Sequence, residues 1–426
     1  MNLYAPWSLR DLTDAIARGQ CSTVDAWERS ARRIAETEDR LAAWVTRHAP
    51  SEPPAPAGAL SGIPLGVKDI IDVAGYPTRC GSALRADTGP ATTDAEIVRR
   101  WRAAGAVPAG KTVTTEFAFF APGPTHNPAA PGHTPGGSSS GSAAAVASGQ
   151  VPLALGSQTA GSVTRPAAYC GVAALVLTRG LLATDGITGL AHSLDSHGFY
   201  AAEVRDLACA WSALMAVPDP PTESTRPPRV ALWSAEPLDV VDTAMTDAVA
   251  ALHDRLVTDG AVVTGFAAEQ VVAEATAAHR VVMAYEAARE RAAELARADE
   301  LSRPLAELLR SGAATTDADY AAARGILDAA RRTVLDLLTG YDAIIGPAAP
   351  GPAPSGLGAT GDPVLSRAWQ ALGLPVVTVP GLRTPKGLPL GIQVIGAPYA
   401  EAELLRVAGW IQDRTHRPPR EQGGHP

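Results

Sequence analysis

Apolar residues have the spacing of helices near the N-terminus and form short continuous runs further along the chain. Residue pairs typical of capping boxes predict three helix starts, at Ser8 with Asp11, at Ser22 with Asp25, and at Thr93 with Glu96. Runs rich in Val, Ile and Leu predict strands at 63–67, 151–155, 343–345, 374–379 and 388–394. Helices that alternate with strands in this way favour an α/β fold.

Composition and charge narrow the class of protein. Hydrophobic residues make up 46% of the 426 residues and charged residues 19%, which is typical of a globular protein and excludes a disordered one. The net charge of −8 without long charged runs argues against direct contact with nucleic acid or with an anionic membrane. Because residues 1–14 lack the apolar run of a signal peptide, we expect a cytoplasmic protein.

Cysteine and lysine usage limits the chemistry further. The four cysteines are scattered, which predicts reduced thiols and neither a disulfide framework nor a metal site. Only Lys68, Lys111 and Lys386 among the 36 basic residues are lysines. A buried lysine can lose its proton whereas an arginine cannot, so each of the three is a candidate neutral amine. Residues 131–164 contain no charged side chain and are rich in Gly and Ser, which indicates a buried or site-lining segment.

Two short motifs compete for interpretation. Residues 105–112 match the phosphate-binding pattern G-x-x-x-x-G-K-[ST], but a helix is predicted to end at Gly105 and none is predicted to start after Thr112. Residues 137–141 match the nucleophile elbow G-x-S-x-G, which would make Ser139 the nucleophile. That elbow needs a strand directly before it, and the proline-rich stretch up to Pro135 cannot supply one. The flanking sequence therefore disfavours both motifs.

Several segments taken together resemble the amidase signature family. They read GIPLGVKD at 62–69, GGSSSGS at 136–142 and GSQTAGSVTRPA at 156–167, and further family-like segments stand at 110–117, 193–208 and 387–393. The resemblance implies an α/β fold in which a mixed β-sheet is flanked by helices. It also implies hydrolysis of the C–N bond of a small-molecule amide, without a metal or an organic cofactor.

The resemblance extends over one domain, residues 1–426. Its parts are N-terminal helices at 1–48, a signature core at 60–215, a helix-rich variable region at 240–338 and a C-terminal return to the core at 339–415. A stretch of Pro, Ala and Gly at 50–58 reads as a linker between the first two parts.

The resemblance also implies a catalytic set. Ser162 would be the nucleophile, Ser138 a bridging serine that follows a cis peptide after Gly137, and Lys68 the general base. This set is chemically coherent, because a desolvated lysine can be a neutral amine near pH 7 and a hydroxyl between two partners can relay a proton.

The turn before the nucleophile would supply the oxyanion hole through the N–H groups of Thr159, Ala160 and Gly161. This chain has Gln158, Ala160 and Thr164 where the family often has Asp, Gly and Arg. Because an alanine keeps its N–H, we expect the oxyanion turn to persist.

Two further positions bear on the substrate. Arg165, three residues after the nucleophile, could bind a carboxylate or carbonyl of the substrate's acyl part, and Gly137 is a second candidate contact. A structural arginine that pairs with a core acid or with backbone carbonyls is the alternative. The segment 174–178 lacks a lysine and a proline that the family commonly has, which predicts a reshaped loop near the site or a divergent substrate.

Other interpretations remain open at the level of sequence. Asp195 reads as structural, and His192 and His197 as residues of a pocket rim or the surface. Within the same resemblance, the chain could be the A-type subunit of a glutamyl-tRNA amidotransferase, whose partner subunit would contact the tRNA, or a catalytically silent binding protein. A homodimer is also left open.

Overall fold

The computed structural model describes residues 2–47, 58–220 and 226–415, and its strands form one mixed β-sheet. The strands are β1 Trp44–Arg47, β2 Pro64–Lys68, β3 Val107–Thr112, β4 Leu153–Gln158, β5 Ala173–Val176, β6 Ser196–Ala201, β7 Arg229–Leu232, β8 Val262–Gly265, β9 Ala343–Pro347, β10 Val376–Arg383 and β11 Pro389–Ile395. Their order in the sheet is β1-β3-β2-β4-β6-β5-β10-β11-β9-β7-β8. The pairs of β2 with β3 and β4, and of β7 with β8 and β9, are parallel, and the others are antiparallel.

Helices flank this sheet. They are α1 Leu9–Ala17, α2 Thr23–Leu41, α3 Glu96–Ala103, α4 Ser140–Ala147, α5 Thr164–Cys170, α6 Val204–Met215, α7 Thr243–Thr258, α8 Glu269–Glu290, α9 Ala292–Leu295, α10 Arg303–Ala314, α11 Asp317–Leu338, α12 Val364–Ala371 and α13 Glu401–Thr415. The predicted mixed sheet flanked by helices is thereby confirmed. None of the described helices is both long and apolar enough to cross a bilayer.

Local capping explains where the first helices begin. Ser22 and Asp25 form the predicted reciprocal capping box, and Ser8 accepts the N–H of Asp11. The predicted box at Thr93 is wrong, because α3 starts at Glu96 with no side-chain cap. The carboxylate of Glu96 instead forms ion pairs with arginines one helical turn further on.

Several predicted segments differ from the structure. The helical region 240–338 also contains the edge strand β8, which is only four residues long and mostly exposed, with two adjacent valines as its local signal. The segment 174–178 is buried and lies mostly in strand β5, so the prediction of a reshaped loop there is wrong. The motif at 105–112 enters strand β3 rather than a helix, which excludes a phosphate loop. Most of the linker predicted at 50–58 lies outside the described residues.

The sheet topology determines where chemistry can occur. Strand β2 lies between β3 and β4 and is parallel to both. The carboxyl ends of these strands therefore meet at one edge, which is where α/β folds commonly bind ligands. Lys68 is the last residue of β2, and the turn that contains Ser162 follows β4.

Close packing between α8 and α10 depends on a glycine. A Cβ atom at Gly312 would lie 1.8 Å from the carbonyl oxygen of Ala284, whereas one at Gly325, on the exposed face of α11, would meet nothing within 4 Å. We predict that Gly312→Ala lowers the free energy of unfolding by about 1–3 kcal/mol. The control Gly325→Ala should raise it by roughly 0.5–1 kcal/mol, because alanine favours a helix. Urea denaturation of both variants checks this, and an unchanged or more stable Gly312→Ala protein would contradict the packing.

Candidate active site

Lys68 places a buried amine at the carboxyl end of β2. Its side chain is fully buried, and its Nζ donates to the Oγ of Ser138 at 2.7 Å and to the Oγ of Ser157 at 2.9 Å. Burial lowers the pKa of Lys68 to about 7, against the opposing effect of the Asp195 carboxylate. Near neutral pH a substantial fraction of this amine is therefore uncharged and has a lone pair that can accept a proton.

Ser138 lies between that amine and a small cleft. The peptide bond between Gly137 and Ser138 is cis, and the carbonyl of Ser138 accepts the N–H of Thr115 at 3.2 Å. Helix α4 begins two residues later, at Ser140. Ser138 thus contacts Lys68 through its hydroxyl and also lines the cleft.

Ser162 lies on the turn between β4 and α5 and lines the same cleft as Ser138. Its carbonyl accepts hydrogen bonds from the Oη of Tyr200 at 3.1 Å and from the N–H of Ser139 at 3.3 Å. Ser139 itself is fully buried and does not line the cleft. The structure thus brings together Lys68, Ser138 and Ser162, and it gives no support to the elbow motif.

The turn that precedes Ser162 offers backbone donors to the cleft. Within the described residues, the N–H groups of Ala160, Gly161 and Ser162 have no hydrogen-bond acceptor in the protein. The Oε1 of Gln158 accepts the N–H of Val163 at 2.8 Å and of the next residue at 3.0 Å, and so holds the far side of the turn. The amide oxygen of Gln158 therefore accepts the hydrogen bonds that a carboxylate at this position could accept. The turn stays in place although the residue here is Gln and not Asp.

Thr159 fixes the near side of the turn. Its Oγ1 donates to Oδ1 of Asp195 at 2.5 Å, and its carbonyl accepts a hydrogen bond from Nε2 of His279 on α8 at 2.8 Å. Burial lowers the pKa of His279 to about 3, so the ring is neutral and Nε2 carries the proton for this bond. Because C=O and N–H point in opposite directions across a trans peptide, the bond to Thr159 also sets the direction of the Ala160 N–H.

Asp195 has the structural role predicted for it. In addition to Thr159, its carboxylate accepts the N–H groups of Leu190 at 2.9 Å and Ala191 at 3.2 Å. His192 is exposed, as predicted, but His197 is buried in β6, where its Nε2 lies 2.8 Å from the carbonyl oxygen of Ala183, so its placement on a rim or the surface is wrong. No group of three or more His, Cys, Asp or Glu side chains in the described ranges is arranged to hold a metal ion.

Arg165 and Gly137 lie in contact. The Nη2 of Arg165 donates to the carbonyl oxygen of Gly137 at 2.6 Å and to the Oγ1 of Thr360 at 3.4 Å. The guanidinium is buried and lines the cleft, yet Nε and Nη1 have no partner among the described residues. Arg165 therefore supports the peptide that carries Ser138 and also has N–H groups free for another acceptor.

One wall of the cleft has an unusual backbone. Phe117, Ala118 and Phe120 are non-glycine residues with φ of 43°, 63° and 30°. Glu116 anchors this segment, because its carboxylate accepts the Oγ–H of Ser82 at 2.7 Å and, at 2.8 Å, the N–H of the residue that precedes α10. Left-handed residues of this kind are often found at functional sites, and Ala118 and Phe120 both line the cleft.

The other lysines do not reach the cleft serines. Lys111 is fully buried but forms an ion pair with Asp69 at 3.0 Å and donates to the Oγ1 of Thr78 at 2.9 Å. Lys386 is exposed. Of the three lysines considered from the sequence, only Lys68 contacts a hydroxyl that lines the cleft.

Sequence reasoning missed several residues that shape this site. Ser157 lies in a segment that resembles the family, and its place on the strand beside Lys68 was the available signal. Tyr200 and His279 come from distant elements, and no local pattern marks them. Only the folded arrangement shows that they hold the turn.

Comparisons with known proteins show which sequences and folds this chain resembles. The sequence profile of the Amidase family matches residues 24–405. The A-type subunit of the glutamyl-tRNA(Gln) amidotransferase of Shouchella clausii is 32% identical, over 96% of this chain and 97% of that protein. A crystal structure of an amidase has a TM-score of 0.86 at 28% identity, over 96% of this chain and 100% of that one. The peptide amidase PAM, solved with the competitive inhibitor chymostatin, has a TM-score of 0.79 at 28% identity, over 96% of this chain and 98% of that one.

Proposed function

This chain belongs to the amidase family, and from that premise we propose that it hydrolyses a small-molecule amide through an acyl-enzyme on Ser162. The observation that carries the proposal is the contact of 2.7 Å between the buried Lys68 amine and Ser138, which shares a cleft with Ser162. A serine hydroxyl is a weak nucleophile until a base removes its proton, and a neutral amine joined to it through a second hydroxyl can do so.

In the acylation step, the Oγ of Ser162 attacks the amide carbonyl carbon as its proton passes to the Oγ of Ser138. Ser138 at the same time transfers its own proton to the Nζ of Lys68, which becomes an ammonium. The tetrahedral intermediate then collapses, and the C–N bond breaks. The leaving nitrogen takes a proton from Ser138, which regains one from Lys68, so the amine leaves neutral.

Deacylation repeats the relay with water as the nucleophile. Water attacks the ester carbonyl and its proton moves through Ser138 to Lys68. The ester bond then breaks, and Ser162 recovers its proton by the reverse path. The products are a carboxylic acid and an amine or ammonia, and the protein returns to its starting protonation state.

Charge that develops on the carbonyl oxygen needs donors that are already oriented. The free N–H groups of Ala160 and Gly161 support their role in an oxyanion hole, together with the adjoining N–H groups of Thr159 and Ser162. Loss of one such donor in comparable sites costs on the order of 10²–10³ in rate. The supports of the turn, His279 among them, are therefore part of the proposed mechanism.

Arg165 supports a further part of the proposal. Its Nε and Nη1 groups are buried and have no partner in the part of the chain that the structure describes, which is costly unless a ligand supplies an acceptor. We therefore retain the proposal that Arg165 contacts a polar group of the substrate's acyl part, next to Gly137. Its bond to the Gly137 carbonyl gives it a structural role at the same time.

A second candidate function is the A-type subunit of a glutamyl-tRNA amidotransferase. The similarity to the Shouchella clausii protein over 96% of this chain favours it. Purified protein without any partner separates the two candidates: hydrolysis of simple amides supports the stand-alone amidase. Release of ammonia from glutamine only when a partner subunit is present would support the amidotransferase. A binding protein without activity would show neither.

The serines have separable roles. We predict that Ser162→Ala lowers kcat/KM for amide hydrolysis by on the order of 10³ or more, because the nucleophile is lost. Ser138→Ala should lower it by roughly 10²–10⁴, because the proton relay is broken. Ser139→Ala is the matched control and should cost less than about tenfold, since its hydroxyl lies outside the cleft. Steady-state kinetics of the folded variants checks this, and a severe Ser139 effect beside a mild Ser138 effect would favour the elbow motif instead.

The role of Lys68 predicts a pH dependence. Its pKa is lowered to about 7 and the neutral amine is the active form, so kcat/KM should rise with pH through about 7 and then level off. Lys68→Arg keeps a positive charge but has no base, so it should be as inactive as Lys68→Ala. An arginine variant with most of the wild-type rate, or a rate that falls between pH 6 and 8, would show that the lysine acts through its charge.

A further inference from the structure

A second cavity adjoins the cleft of Ser162. Its volume is about 430 Å³, and it shares Phe119, Phe120 and Met283 with the cleft. A substrate whose reacting carbonyl lies at Ser162 could therefore extend past these three side chains into the cavity. Half of the remaining lining is apolar, with residues such as Val281 and Leu308, and the other half is polar or charged.

The only charged side chains in the described lining of this cavity are two arginines. Arg280 is contributed by α8 and Arg367 by α12, and no Asp or Glu belongs to the lining. Neither guanidinium forms a hydrogen bond or an ion pair with any described residue, whereas many other arginines of the chain are paired with Asp or Glu. The described lining therefore carries two positive charges and no negative charge.

Arg367 is less exposed to solvent than Arg280. Arg280 is exposed, but Arg367 is half-buried, and burial lowers its pKa to about 10 with Arg280 and Arg165 adding to the effect. Among the described residues, the carboxylate of Asp362 opposes this shift, and it is itself exposed and accepts the N–H of Val364. A partly buried guanidinium that has no partner among the described residues gains from a ligand that brings a negative charge.

We propose that the amide substrate carries a carboxylate that enters this cavity and pairs with Arg367, with Arg280 as a second, more exposed contact. The inference rests on the proposed function, because the cavity is placed by reference to the nucleophile Ser162. It names the substrate class as amides in which an apolar spacer separates the reacting carbonyl from an anionic group. The spacer lies against Phe119, Phe120 and Met283.

Kinetics with matched substrates test the proposal. The probes are the monoamides of succinic, adipic and suberic acid, each compared with the unsubstituted alkanamide of the same length. We expect wild-type kcat/KM to be about tenfold or more higher for the carboxylate member once the spacer is long enough to reach the cavity. Arg367→Met should remove most of that advantage and change the neutral amides by less than about threefold, and Arg367→Lys should restore part of it.

The control is Arg332→Met, which removes an exposed arginine of α11 outside the cavity and should change neither substrate set. Equal losses on charged and neutral amides in Arg367→Met would show a structural role, and the absence of a carboxylate preference in wild type would overturn the proposal.

Binding separates this inference from the proposed function. Calorimetry with adipamate and hexanamide on the Ser162→Ala protein needs no turnover. Tighter binding of adipamate that Arg367→Met weakens about tenfold supports the anionic pocket even if hydrolysis is never seen. Equal binding of the two probes would overturn the pocket. Amide hydrolysis that persists in Ser162→Ala would instead overturn the proposed mechanism and leave the pocket standing.

Discussion

The burial of one amine at the end of a central strand is the constraint on which the site depends. Lys68 lies between strands that are parallel to its own, and two serine hydroxyls surround its Nζ in place of a contacting carboxylate. A contacting carboxylate would hold the amine in its charged form, as Asp69 favours the charged form of Lys111. With hydroxyl partners, burial determines the protonation state of Lys68, and burial favours the uncharged amine. In the proposed mechanism, the fold thus makes a base of a residue that is ordinarily an acid at neutral pH.

The remaining parts of the site are supports that keep groups aimed at one cleft. The turn before Ser162 is held by Gln158 on one side and by Asp195 and His279 on the other. Because His279 belongs to α8, the helix-rich region both supports the proposed oxyanion hole and contributes Met283 and Arg280 to the cavity beside it. If both proposals hold, packing of α8 on α10 at Gly312 would affect the oxyanion turn and the substrate cavity together.

The parts of the structure that could be predicted from the sequence are those marked by a pattern within one contiguous segment. The mixed α/β architecture, the helix cap at Ser22 and the segments that carry Lys68, Ser138 and Ser162 are all local patterns. What it missed depends on contacts between distant segments: His197 looks polar but is buried in a strand whose partners lie elsewhere, and β8 is an exposed edge strand held by its pairing with β7. The arginine-lined cavity is a third case, because Arg280 and Arg367 are 87 residues apart and meet only in the folded chain.

Direct capture of the acyl-enzyme tests the central claim. Wild-type protein would be mixed with an activated ester of the acyl group, quenched in acid within the first turnover, and digested with trypsin for mass spectrometry. Because no Lys or Arg lies between Lys111 and Arg165, Ser138, Ser139 and Ser162 are released in one peptide, and fragmentation must locate the modified residue. The account predicts one acyl group, on Ser162, and none in Ser162→Ala. An acyl group on Ser138 or Ser139, or the same adduct in the Ser162→Ala protein, would contradict it.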